Sequence, residues 1–193
     1  MVNLAIFVSG SGTNCENIIR YFQNNQQVNI SLVISNKADA YALVRAKHLN
    51  VETAVLPKSD FNNRELVLGL MSDHRIDFIV LAGFLLMIPD WLIDAYEHRM
   101  VNLHPALLPK FGGKGMYGHH VHESVKAAGE TETGMTVHWV SNVCDGGEII
   151  EQYKTAISPD DTPDDIAEKE HELEMEHFPK VIERVLLNEG FLR

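Results

Sequence analysis

Phe78-Ile79-Val80-Leu81-Ala82-Gly83-Phe84 and, after a short helical stretch, Met100-Val101-Asn102-Leu103-His104-Pro105 form the stretch on which the fold reading turns. Residues 78–82 and 100–104 each read as a short buried strand. Asn102 and His104 lie two apart, so on an extended chain both side chains project from one face of one strand. Pro105 has no backbone N–H and biases His104 away from helix, which ends the strand and leaves His104 at its carboxyl end. In open parallel sheets that edge is where ligands bind. A lone His is more often structural than catalytic, so its surroundings have to make the case.

Working outward, residues 2–8 read as a buried strand, followed by Ser9-Gly10-Ser11-Gly12-Thr13-Asn14 and an apolar periodicity from Ile18 and Ile19. Strand, tight polar loop and helix make an anion cradle: glycines let the backbone approach, and N–H groups converge at the helix N-terminus. No third glycine at dinucleotide spacing and no P-loop Lys follow, so a single phosphate is the natural guest. A capped turn without a ligand is the competing reading. Strands are expected at 28–35 and 51–56 and helices at 40–49, 62–74 and 89–96. Arg64, in the first turn of a helix, gains nothing from the dipole there, so it reaches for a ligand or is an ordinary surface residue.

Downstream, the Gly-rich stretch 110–118 is too long for a simple connection. A helix over 119–128 and a strand over 133–140 follow, then Cys144-Asp145-Gly146-Gly147 as a turn into a last strand. Such a turn can return Asp145 beside the carboxyl end of the central strand, although a plain turn residue is the alternative. Thr162, Pro163 and two acids open a long helix that Pro179 is expected to kink and Gly190 to end. Its acids at 168, 170, 172, 174 and 176 read mostly as a solvated face. The alternation predicts an α/β fold: three layers, doubly wound, with a mostly parallel sheet of about seven strands.

With 193 residues the chain suffices for one sizeable core, expected as a single domain over 1–193 with halves 1–100 and 101–193. Its net charge of -11, without a basic patch, opposes nucleic acid. No apolar run approaches the roughly 18 residues of a membrane span, and no leader precedes the first strand, which points to a cytoplasmic protein. Two cysteines far apart make neither a disulfide framework nor a zinc site, and His119, His120 and His122 read as loop or pocket residues; no metal is expected.

Asn102, His104 and Asp145 form a candidate catalytic set: an amide N–H for a developing oxyanion, an imidazole, and a carboxylate expected to keep that imidazole charged near neutral pH. No Ser or Cys nucleophile stands beside them, which points to direct transfer between two bound substrates, as acyl transfer to an amine requires.

The run Asn102-Leu103-His104-Pro105-Ala106-Leu107-Leu108-Pro109, with Leu81-Ala82-Gly83-Phe84 before it and Thr136-Val137-His138 through Asp145-Gly146-Gly147 after it, resembles the folate-dependent formyltransferases. Ser9 to Asn14 and Ser35-Asn36-Lys37-Ala38-Asp39-Ala40 extend the resemblance over nearly the whole chain, toward members acting on glycinamide ribonucleotide. It implies the formyltransferase fold with a Rossmann-like, phosphate-binding amino-terminal half. It also implies 10-formyltetrahydrofolate as co-substrate and formyl transfer to the glycine amine in purine synthesis. By motif, Asn102 would stabilise the oxyanion, His104 would be the general acid, and Asp145 would hold it charged. Gly12, Thr13, Asn14 and Glu174 would meet the ribonucleotide. Arg64, Leu85, Leu86, Met87, Ile88, Asn102, Ser141, Asn142, Val143 and Cys144 would meet the folate, the protein acting as monomer or homodimer. Leu86 stands where the family often has Arg, and residues 114–118 look like an insertion that bears on the place of His120.

The rivals are methionyl-tRNA formyltransferase, the hydrolase that releases formate from the same folate, and a non-catalytic phosphosugar-binding module. The acidic charge and the lack of an added carboxyl-terminal domain argue against the first, and a catalytic sheet beginning at Val2 against the second. Retention of Asn102, His104 and Asp145 argues against the third.

Overall fold

The apolar runs form a seven-stranded sheet in the order β3-β2-β1-β4-β5-β6-β7, seen in a computed structural model that describes residues 1–193. The chain folds into two compact units, one of Met1–Val101 with Glu183–Arg193, the other of Asn102–Ile182. This division differs from the expected halves at the carboxyl end. Glu183–Arg193 belongs with the first unit because Tyr21 donates to Glu183, Arg193 exchanges backbone hydrogen bonds with the Gln27 side chain, and Phe191 packs edge-on against Phe78.

In the first unit, β1 (Val2–Val8) pairs in parallel with β2 (Val28–Ser35) on one side and β4 (Phe78–Leu81) on the other. The edge strand β3 spans only Thr53–Val55, shorter than expected. Leu4, Ile6, Phe7 and Val8 are fully buried, as apolar strands covered on both faces must be. The helices are α1 (Thr13–Phe22), α2 (Tyr41–His48), α3 (Lys58–Phe61), α4 (Arg64–Asp73) and α5 (Asp90–Ala95). One turn long, α3 was not anticipated: Pro57 stops β3 and also starts this turn, accepting from the Phe61 N–H.

Strand β5 (Met100–His104), next to the middle strand β4, ends at His104, as Pro105 dictates. In the second unit α6 (His119–Ala127) is followed by the antiparallel pair β6 (Glu132–Trp139) and β7 (Ile149–Ala156). The register shifts at a bulge between Val137, which faces Glu151, and His138, which faces Ile149, so the extra residue is Ile150 on β7. Helix α7 (Pro163–Asn188) begins with a reciprocal cap, the Thr162 hydroxyl accepting from the Asp165 N–H while the Asp165 carboxylate accepts from the Thr162 N–H. It remains helical through Pro179. No helix is long and apolar enough to cross a membrane.

Candidate active site

At the carboxyl end of β5 the second unit gathers Asn102, His104, Asp145 and His138. His104 is 3% exposed, its Nδ1 lies 3.5 Å from Asp145 Oδ2, and its Nε2 donates to the Phe111 carbonyl at 2.8 Å. Thr136 holds that carbonyl's segment in place, its hydroxyl donating to the Ala106 carbonyl at 2.6 Å and accepting from the Leu108 N–H at 3.1 Å. Asp145 adopts a left-handed backbone (φ 53°) and accepts from the Gly113 N–H at 2.9 Å. Gly147 closes the turn so tightly that a Cβ there would lie 1.7 Å from the Trp139 carbonyl oxygen. Asp145 is thus a turn residue that also lies beside the His104 ring.

His138 is a member that sequence reasoning did not single out. It is 2% exposed, its Nδ1 lies 2.9 Å from the Trp139 carbonyl, and its Nε2 lies 3.0 Å from Asn102 Nδ2. These partners assign the proton to Nδ1 and make Nε2 the acceptor of one Asn102 amide hydrogen. The second hydrogen of that amide is left to meet a ligand. Asp145 Oδ1 stands 3.7 Å from the same Nε2, a longer contact than the amide makes. The signal for His138 is its place in Thr136-Val137-His138, two residues after Thr136 on one strand face and opposite Trp139.

The expectation that Asp145 keeps His104 cationic is corrected. Burial pulls the His104 pKa down, Asp145 and the Phe111 carbonyl push it up, His138 lowers it again, and the outcome is below the ordinary imidazole value. The free protein thus carries a predominantly neutral His104 beside an ionised Asp145. Burial pushes the Asp145 carboxyl up, but the His138 and His104 rings in their charged forms, with the Gly113 N–H, bring it below the usual carboxylate range.

Along α7 the reading of the acids as mostly a solvated face holds for three of the five and not for the other two. Glu168, Glu172 and Glu176 are exposed, but Glu170 and Glu174 are 3% and 8% exposed, because steps of four put them on the stripe of Ile166 and Phe178. Glu174 accepts from or pairs with His171 Nδ1 at 3.2 Å. His122 on α6 is buried as well, and its burial, the nearby His119 and His104 lower its pKa against an upward push from Glu174. His120 is exposed and pairs with Glu123 at 3.1 Å. No group of three or more His, Cys, Asp or Glu could hold a metal ion.

The first unit presents the other candidates. Gly12 caps α1 in the left-handed region (φ 77°), and a Cβ there would sit 2.3 Å from the Ala42 Cβ, so the loop that leads into Thr13 and Asn14 needs this glycine. Ser9 fastens the loop's base, donating to Asn36 Oδ1 at 2.5 Å and accepting from the Leu85 N–H at 2.9 Å. Arg64 is exposed at the first residue of α4. Leu85 to Ile88 lie outside helix and strand, with the Leu85 and Met87 side chains 48% and 57% exposed, Leu86 half-buried and Ile88 buried. In the second unit, Ser141 to Cys144 lead directly into Asp145. The Ser141 hydroxyl bonds both to the Val143 carbonyl and to its N–H, Asn142 and Val143 are exposed, and the Cys144 thiol lies 3.8 Å from Asp145 Oδ2.

The sequence profile of a family described as formyl transferase matches residues 2–182. A phosphoribosylglycinamide formyltransferase of Haemophilus influenzae is 35% identical over 198 residues, covering 100% of this chain and 90% of the relative. A chloroplastic phosphoribosylglycinamide formyltransferase of Arabidopsis thaliana is 35% identical, the match covering 90% of this chain and 63% of that longer protein. Among solved structures, phosphoribosylglycinamide formyltransferase from Streptococcus pneumoniae superposes with a TM-score of 0.83 at 34% identity, over 96% of this chain and 99% of the other.

Proposed function

The chain belongs to the formyl transferase family, and from that premise we propose that it is the enzyme that moves the formyl group of 10-formyltetrahydrofolate onto the amine of glycinamide ribonucleotide, in purine synthesis. One observation carries the chemistry: the Asn102 amide and the His104 imidazole stand at one strand end, with the Asp145 carboxylate 3.5 Å from the ring.

The ribonucleotide amine attacks the formyl carbon, forming a carbon–nitrogen bond and an oxyanion. The Asn102 N–H not taken by His138 donates to that oxyanion as its charge develops. The attacking nitrogen now holds a proton too many. A neutral His104, whose Nε2 hydrogen is held by the Phe111 carbonyl, accepts it on Nδ1, and the imidazolium so formed is stabilised by Asp145 at that nitrogen and by the Phe111 carbonyl at the other. His104 then gives the proton to the folate nitrogen as the carbon–nitrogen bond to the folate breaks. The general-acid role implied by the resemblance is thereby kept, preceded by a base step that the buried neutral ring supplies.

Gly12, Thr13 and Asn14 in the first unit are assigned to the ribonucleotide phosphate, with the α1 dipole behind them. Glu174 in the second unit is assigned to the ribose or glycinamide portion. For the folate we assign Arg64 and the backbone of residues 85–88 in the first unit, and Asn102 and residues 141–144 in the second. A pterin is flat and rich in donors and acceptors, which suits irregular backbone flanked by exposed apolar side chains. Leu86 offers this substrate no charge.

Mixing the protein with both substrates tests the proposal: deformylation of the folate is expected only when the ribonucleotide is present. Turnover on the folate alone would select the hydrolase reading, and binding without turnover the phosphosugar module. A net charge of -11 counts against a transfer-RNA substrate.

A further inference from the structure

Ile166, Glu170, Glu174 and Phe178 make one buried stripe on α7, and its two middle positions are acids. Four residues apart on one helix face, the two carboxyls meet and hydrogen-bond to each other. A hydrogen bond between carboxyls needs a proton, and two adjacent buried carboxylates cannot both be ionised. Which of them holds the proton follows from their other neighbours. Glu174 has His171 Nδ1 3.2 Å away on its own helix and interacts with His122 on α6, a ring whose further neighbours are His119 and His104. Glu170 faces Glu174 alone among titratable groups, and its Oε1 is buried without a hydrogen-bond partner. A bare charge at Glu170 would be left uncompensated, whereas one on Glu174 has two imidazoles and the carboxyl hydrogen of Glu170 to meet it.

We propose that Glu170 is a positioning residue, donating its carboxyl hydrogen to Glu174 and so fixing the Glu174 carboxylate as the acceptor that meets the ribonucleotide. This rests on the assignment of Glu174 to that substrate. Burial and Glu174 together push the Glu170 carboxyl well above its ordinary range, which agrees with the proton's place. As pH rises through the raised pKa of Glu170 the proton is lost, like charges oppose each other four residues apart, and Glu174 is driven out of position.

The test compares the full chain with Glu170→Leu and Glu170→Gln. Leu fills the volume but cannot donate; Gln donates at every pH. The KM for glycinamide ribonucleotide, at saturating 10-formyltetrahydrofolate, is expected to rise about tenfold in Glu170→Leu, the equivalent of one hydrogen bond, with kcat changed far less. Gln is expected to restore what Leu loses and to abolish the extra rise in KM expected of the wild-type chain as pH rises and Glu170 ionises. Titration of the substrate amine is common to all three proteins and cancels in the comparison. An unchanged KM in Glu170→Leu, or an alkaline rise persisting in Glu170→Gln, overturns the proposal.

Infrared spectroscopy reads the proton without any substrate. Above the pH where exposed carboxyls ionise, the wild-type chain is expected to keep the carbonyl stretch of a protonated carboxyl, and both variants to lack it. A wild-type spectrum without that band overturns the proposal whatever the enzyme acts on. Absence of turnover with the ribonucleotide in the wild-type chain would instead overturn the functional reading and the substrate named here, while the band still reports on the carboxyl pair.

Discussion

His104 meets an acceptor on each ring nitrogen, the Phe111 carbonyl at 2.8 Å and the Asp145 carboxylate at 3.5 Å, while burial opposes the charge that both acceptors favour. Because burial prevails, the limb of kcat/KM assigned to His104 should fall below the ordinary imidazole pKa of about 6.5, with activity rising as pH rises through it and frees the base. Asp145→Asn removes the main upward push, so that limb should move to still lower pH. The rate should fall by on the order of a hundredfold or more, since the imidazolium formed in transfer loses its counter-charge. An unchanged limb in the pH–rate profile would mean that Asp145 does not act through His104. Asn102 gives a second comparison at this scale. Asn102→Ala should lower kcat by about a hundredfold to a thousandfold, as loss of an oxyanion donor does. His138→Leu, which removes the acceptor that orients the amide, should lose a smaller factor, again in kcat rather than KM. Equal losses in KM and kcat would make His138 a packing residue only. Sequence spacing placed Asn102 and His104 together because a strand has a period of two. It could not reveal the sign of the His104 shift, because burial depends on chain segments far from residue 104.

Between residue and fold lie the loops that the elements aim. The loop into α1 depends on Gly12, whose left-handed backbone and 2.3 Å approach to the Ala42 Cβ admit no side chain, and it delivers Thr13 to the helix N-terminus. Thr13→Asp keeps helix propensity adequate and suits the dipole, so the fold should hold, but it sets a negative charge where a phosphate would bind. The KM for the ribonucleotide should rise far more than that for the folate, measured by varying each substrate in turn; equal rises would place the phosphate elsewhere. Most elements were legible because apolar runs bounded by Gly, Pro and Asn identify short buried strands, as at residues 2–8, 28–35 and 100–104. What escaped had physical reasons. One-turn α3 is too short to show a period. The bulge that leaves Ile150 as an extra residue on β7 has no mark in the apolar pattern. The acids from 168 to 176 alternate with other residues and so look like one polar face, although a 3.6-residue period sorts them into exposed 168, 172 and 176 and buried 170 and 174.

Stability of the whole molecule brings the buried titratable groups together, and they pull in opposite directions. His104 and His122 titrate below their unfolded value, so they bind fewer protons folded than unfolded. The stability they represent is complete above about pH 6.5 and is lost as pH falls through their folded pKa values. Glu170 behaves inversely. Its folded pKa lies above the unfolded one, so the stability it represents is complete below about pH 4.5 and is lost as pH rises, since the unfolded chain ionises freely while the folded chain must hold the proton. At neutral pH the carboxyl is therefore a net cost to the fold, and a buried carboxyl replaced by an apolar side chain of similar volume commonly stabilises. Glu170→Leu should raise the thermal unfolding midpoint at pH 8 by a few degrees, roughly 2–4 °C per kcal/mol for a chain of this size, and the gap from the wild-type chain should narrow as the pH is lowered toward 5. Calorimetry of both proteins across that range decides it. A gap that stays constant with pH would mean that Leu acts by packing alone and that Glu170 does not carry a proton in the folded state. A gap that narrows on acidification, together with a higher KM for the ribonucleotide, would place this residue among those whose presence weakens the fold while orienting a group the substrate meets.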